Sequence, residues 1–179
     1  MKRSWFIVLF CALGCAATAQ NSHPNEAQII GFYIPDGEKD HYIGGAYYFN
    51  LNDRHAVGVR VAYHAEKKSE SYQSQTRYFE LSHRWRFKIT ENKFRWSLST
   101  GPWVQIFTSQ NSGLFRENSQ WNTIGVVNSA GLHYHITPRL GLGVFGLAML
   151  EVFTWERGKD PAFYPLVTPG MGLQLAYAW

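Results

Sequence analysis

Pro169-Gly-Met-Gly-Leu-Gln-Leu-Ala-Tyr-Ala-Trp179 alternates large apolar side chains at 171, 173, 175, 177 and 179 with Gly, Gln or Ala between them. An extended chain sends successive side chains to opposite faces, so this stretch reads as a strand with one bulky apolar face and one small or polar face. In a soluble protein the bulky face turns inward. A strand that borders lipid does the reverse, with bulky residues outside and small ones inside. This stretch alone leaves both arrangements open, and the rest of the chain decides between them.

The opposite end supplies an address. Lys2 and Arg3 precede an apolar run from Trp5 to about Cys15, and Ala17-Thr18-Ala19 offers a small-x-small cleavage site before Gln20. That three-part pattern predicts a secretory signal peptide over residues 1–19 and a mature domain over 20–179. The apolar run is shorter than the ~20 residues of a spanning helix. A lipoprotein anchor at Cys15 is the lesser alternative, because in Ala12-Leu13-Gly14-Cys15 the Leu sits one place nearer the Cys than such sites usually have it. Cys11 and Cys15 both lie in the segment to be removed, which excludes disulfides, thiol catalysis and Cys-type zinc sites from the mature chain. Losing Lys2 and Arg3 lowers the basic count from 17 to 15 against 13 acidic residues, so charge makes no case for nucleic acid.

Beyond Gln20, segments rich in Tyr, Phe, Trp, Val and Ile are punctuated by Asn, Asp, Gly, Ser and Pro. Strands are predicted over 27–34, 41–50, 55–65, 76–89, 94–108, 120–136, 140–155 and 166–179, most of them at or above the ~9–11 residues a tilted membrane strand requires. Leu51-Asn-Asp-Arg54, Thr90-Glu-Asn-Lys93 and Thr137-Pro-Arg139 read as short turns. Between them lie longer, more polar segments at 35–40, 66–75, 109–119 and 156–165. Short connections at one end and longer ones at the other predict an all-β, eight-stranded antiparallel up-and-down transmembrane barrel, both termini on the short-turn side.

The facing pattern agrees. Phe79, Leu81, Trp85, Phe87 and Ile89 oppose Glu80, Ser82, Arg84, Arg86 and Lys88, while Val57, Val59, Val61 and Tyr63 oppose Ala56, Gly58, Arg60, Ala62 and His64. Phe94, Trp96, Leu98, Val104 and Ile106 likewise oppose Arg95, Ser97, Ser99, Gly101 and Gln105. Aromatic residues gather toward both strand ends, as in interfacial girdles. Three features resist. The segment 140–155 is apolar on both faces, His83 and Asn128 fall on apolar faces where exposure to lipid is costly, and Pro102 and Pro169 interrupt ladders, so bulges or strand ends are expected there.

With its export signal, its alternation of turns and loops, and Gly170-Met-Gly172-Leu-Gln-Leu-Ala-Tyr-Ala-Trp179, the whole mature chain resembles the small eight-stranded outer-membrane barrels, the class of OmpX, OmpW and the OmpA membrane domain. The resemblance implies a side-chain-filled lumen without an open pore, and a terminal signal of Leu173, Leu175, Tyr177 and Trp179 read by the barrel-assembly machinery. A filled lumen also follows from eight strands, which leave room only for side chains or one small ligand. The inward set Arg60, Glu80, Arg84, Arg86, Arg95 and Glu151, with Lys88, Gln105, His133 and His135, predicts a structural ion-pair network in which Glu80 bridges Arg60, Arg84 or Arg95.

Candidate chemistry is sparse. His133-Tyr-His135 has a metal-like spacing but no third ligand in sequence, so no metal and no cofactor are expected. Outer-membrane lipid A deacylases carry a His-x-Ser pair; His135-Ile-Thr137 is the nearest match, and Ser82 and His83 point to opposite faces. Lys67, Lys68, Arg116 and Lys159 are candidates for contact with lipopolysaccharide phosphates. The expected function is that of a monomeric, non-enzymatic outer-membrane barrel, with outer-membrane lipids and lipopolysaccharide around it, acting in membrane integrity or in surface interaction and adhesion. The alternatives are a lipid A-modifying deacylase or acyltransferase and a soluble periplasmic barrel that binds an apolar ligand, with aromatic residues inside and arginines outside.

Overall fold

The computed structural model describes residues 25–35, 40–67, 72–89, 93–111 and 118–179. The predicted signal peptide and its cleavage site lie outside them. The strands are β1 Glu26–Ile34, β2 Asp40–Asn50, β3 His55–Lys67, β4 Tyr72–Lys88, β5 Phe94–Asn111, β6 Asn118–His135, β7 Leu140–Glu156 and β8 Ala162–Ala178. Each pairs antiparallel with its chain neighbours, and β8 pairs with β1 from Glu26↔Ala178 to Tyr33↔Met171 to close the barrel. The eight-stranded fold expected from the alternation is the fold observed.

Closure leaves the sheet without a free edge, the requirement for a sheet that crosses lipid. The turns are fixed by their own side chains. Asn52 Oδ1 accepts from the backbone N–H groups of Arg54 and His55, both at 2.8 Å, and Thr137 Oγ1 accepts from that of Leu140 at 2.9 Å. Gly158, at φ 84°, takes the left-handed position of the β7–β8 connection, which other residues reach only with strain.

At the opposite end the structure corrects the sequence reading. Strand takes in part of the polar stretches expected as long loops: β3 runs on to Lys67, β4 begins at Tyr72, β5 reaches Asn111 and β8 starts at Ala162. The loop connectors that remain span four to six residues, against four or five for the turns. Backbone pairing continues past the apolar band because ladder hydrogen bonds do not depend on greasy side chains.

Along β8, Met171, Leu173, Leu175 and Tyr177 are 40–66% exposed while Gln174 and Ala176 are buried, so the bulky face is the outer one. The same sense holds for Val57, Val59, Leu81, Phe87, Trp96 and Leu98 outside against Ala56, Arg60, Ser82, Arg84, Ser97 and Ser99 inside. A wall this apolar is unsuited to water. The ambiguous strand is resolved as well: Phe145, Leu147 and Met149 of β7 point inward, and Leu142, Val144 and Leu150 outward. A bulge between Glu151 and Phe153, opposite Ile124 and Gly125, adds one residue to β7. The β4–β5 register lapses beside Pro102, between Glu80↔Trp103 and His83↔Thr100, and Pro169 lies beyond the last β1–β8 pair at Tyr33↔Met171 while staying paired with Ala148 of β7 on its other side.

Candidate functional site

The lumen has two halves. Toward the loop end, Ile30, Phe32, Ile34, Tyr42, Ala62, Tyr78, Trp103, Val127, Phe145, Leu147 and Met149 form one buried cluster. Phe32 stacks on Tyr42 with ring centroids 4.8 Å apart and meets Tyr78 edge-on at 5.5 Å, and Tyr78 stacks on Trp103 at 5.8 Å. The sequence reading of a lumen filled by charge missed this plug, because Phe32, Tyr42, Tyr78 and Trp103 were placed on neither face and the orientation of 140–155 was open. Its signal was the inward parity of Phe32 with Ile30, and of Tyr42 with Ala46 and Tyr48.

At the edge of the plug, Arg60 Nη1 donates to Glu80 Oε2 at 2.8 Å, and the Tyr78 hydroxyl donates to the same oxygen at 2.7 Å. Arg60 and Glu80 face each other directly across β3 and β4, and both side chains are sealed from solvent. The Arg60 guanidinium also lies 5.1 Å from the centre of the Phe145 ring. Desolvated charges of this kind are tolerated only as a bonded pair, and removing one partner of such a pair costs about 3–5 kcal/mol. Of the three arginines offered to Glu80 by the sequence, the structure selects Arg60.

Arg84 has a partner that the sequence reading did not include. Its Nη1 donates to Glu26 Oε1 at 2.9 Å, Gln28 donates to the same oxygen, and the guanidinium lies 3.4 Å from the centre of the Tyr48 ring. Glu26 escaped notice because the first strand was begun at Ala27, yet it shares the inward parity of Gln28. Tyr48 reaches this position over Gly58, where a Cβ would come within 2.4 Å of its ring. Further toward the turns, Ser97 Oγ and His133 Nε2 are 2.8 Å apart, and Gln174 bonds the same imidazole. His133 is thus a buried member of a polar network with His135 beside the rim. Among the described residues no group of three or more His, Cys, Asp or Glu is placed to hold a metal ion.

The remaining expected members depart from the network. Glu151 takes a hydrogen bond from Thr168 Oγ1 at 3.3 Å. Arg86 Nη2 donates to the Asn52 carbonyl at 2.9 Å, and Arg95 lies opposite Lys88 at the rim. The lumen thus holds two ion pairs, Arg60–Glu80 and Arg84–Glu26, with Arg86, Lys88 and Arg95 as basic residues toward the turn-end rim.

On the outer wall, His83 is half-buried rather than bare. Its ring stacks on His55 with 3.3 Å between Nδ1 and Nε2, and it meets the Trp85 ring edge-on at 4.2 Å. Asn128 faces outward in a cross-strand row with Thr100 and Ala148. Ser82 is buried inside the barrel and His83 lies on the other face, so they form no nucleophile–base pair. Ser97 and His133 do hydrogen-bond, but both are more than nine-tenths buried, out of reach of a substrate. Lys159 pairs with Glu156 on the surface, Lys67 ends β3, and Lys68 and Arg116 lie outside the described residues. The interior is also the inverse of the apolar-ligand barrel in part: Arg60 and Arg84 are inside, although aromatic residues occupy both sides.

Solved structures share this fold. Neisserial surface protein A is 14% identical, with 89% of this chain and 98% of that one covered and a TM-score of 0.62. The fold is that of small outer-membrane barrels. A major outer membrane protein of Thermus thermophilus is 9% identical over 89% of this chain and 100% of that one, at TM-score 0.61. Ail, the attachment invasion locus protein of Yersinia pestis, is 14% identical over 87% and 98%, at TM-score 0.56. No protein-family model and no curated protein matches the chain.

Proposed function

We propose that the chain is an integral outer-membrane barrel, exported through residues 1–19, that works without catalysis in membrane integrity or in surface interaction and adhesion at its loop end. The observation that carries this reading is the combination of an apolar outer wall with a lumen closed by an aromatic plug and a buried ion pair. Such a barrel offers a lipid-facing surface and, among the described residues, a lumen filled by side chains, which leaves its exposed ends for recognition. Two similar structures, a surface protein and an attachment invasion locus protein, accord with a role at the cell surface. Polar strand extensions and the charged segment Glu156-Arg-Gly-Lys-Asp160 suit the outward side, where Lys67, Lys68, Arg116 and Lys159 would meet lipopolysaccharide phosphates.

Extraction is the direct test. The protein should stay with membranes through carbonate and high salt and require detergent for release; release without detergent would end the integral reading. Leu173, Leu175, Tyr177 and Trp179 are proposed as the segment read during assembly. Deleting Trp179 should then lower the heat-modifiable, membrane-inserted fraction several-fold, and full insertion of the truncated chain would remove that role.

A further inference from the structure

The basic rim at the turn end has a shape as well as a charge. Asp53, Arg54, Arg86, Phe87, Lys88 and Arg95 line a pocket of about 460 Å³. Lys88 and Arg95 are directly opposed across β4 and β5, a like-charge placement that destabilises a sheet unless something negative lies between them. Arg86 is held from below by its bond to the Asn52 carbonyl, and its Nε is buried with no hydrogen-bond partner among the described residues. Its charged neighbours are Glu26, Arg84, Arg95 and Asp53, and Glu26 is already bonded to Arg84 and Gln28. Even counting Glu91 of the turn, the segment 84–95 carries five basic residues, Arg84, Arg86, Lys88, Lys93 and Arg95, against that one acid.

We infer that this pocket binds a phosphate-bearing anion, with the guanidinium groups of Arg54, Arg86 and Arg95 as the bonding forks and Lys88 as a point charge. Guanidinium matches two phosphate oxygens at once, and a phosphate between Lys88 and Arg95 converts their repulsion into attraction. Phe87 on the same pocket is half exposed on the outer wall, so the site straddles apolar surface and rim. That placement favours the headgroup of an anionic phospholipid in the adjoining leaflet over phosphate in solution. Basic residues beside a bilayer surface attract anionic lipid in this way, and salt weakens the attraction. The inference rests on the reading of the outer wall as lipid-facing.

The test uses the whole protein folded in an uncharged detergent, with heat-modifiable mobility checked first; failure to fold there would indict the membrane reading and not the pocket. Short-chain phosphatidylglycerol, phosphatidylcholine and inorganic phosphate are then titrated separately, with bound lipid counted by native mass spectrometry. Phosphatidylglycerol should bind at least tenfold more tightly than phosphatidylcholine, and the Lys88→Gln/Arg95→Gln pair should abolish that preference while leaving mobility unchanged. Arg157→Gln/Lys159→Gln, which removes equal charge at the loop end, should leave it intact. Inorganic phosphate that binds and is lost in the first double variant would keep the site and assign it to the free anion. Equal effects of the two double variants, or no preference among the three probes, would overturn the proposal.

Discussion

The two halves of the lumen solve the same problem, an interior sealed from water, by opposite means. The loop-end half is packed with Phe32, Tyr42, Tyr78, Trp103, Phe145, Leu147 and Met149, as the core of a soluble protein would be. The turn-end half is wired by Glu26, Gln28, Arg84, Ser97, His133 and Gln174 through directional bonds. Packing loses energy with volume removed, whereas a polar network loses it with partners stranded. The halves should therefore fail differently under substitution.

The largest effect is expected from Trp103→Ala, which empties the most voluminous fully buried position and should lower unfolding stability in lipid vesicles by about 3–5 kcal/mol. Glu26→Gln keeps the volume and removes the charge that Arg84 faces, so a loss of about 1.5–3 kcal/mol is expected, measured by denaturant unfolding of the same preparation. Should Glu26→Gln prove the costlier of the two, the distinction between a packed half and a wired half fails. Ser99→Ala breaks the Ser99–Ser129 bond, 2.6 Å long, and should cost about 1 kcal/mol. A loss as large as that of Trp103→Ala would show the polar half to be cooperative, with each bond strengthening the next.

What the sequence made legible follows the period of two. Outer and inner faces of β3, β4, β5 and β8 could be read because apolar and polar residues alternate over most of their length. β7 could not, because its inner face contributes Phe145, Leu147 and Met149 to the plug and is as apolar as its outer face. Strand ends toward the loops were hidden for a different reason: residues such as Tyr72 and Ser109 extend the ladder through their backbone groups, and composition carries no trace of that. The choice of Arg60 for Glu80 depends on the β3–β4 register, His55↔Trp85 through Lys67↔Gln73, and a slip of one residue would part them. Glu26 needed one more residue of strand than its surroundings suggested.

The seam between β1 and β8 has a kinetic meaning. It joins positions roughly 150 residues apart in the chain, from Glu26↔Ala178 upward, so it closes only after the longest wait any contact in this fold endures. Until then the other seven pairings describe an open, twisted sheet with two raw margins, each able to capture the corresponding margin of a neighbouring molecule. The finished ring hides both margins, and the hazard it resolves belongs entirely to its own assembly.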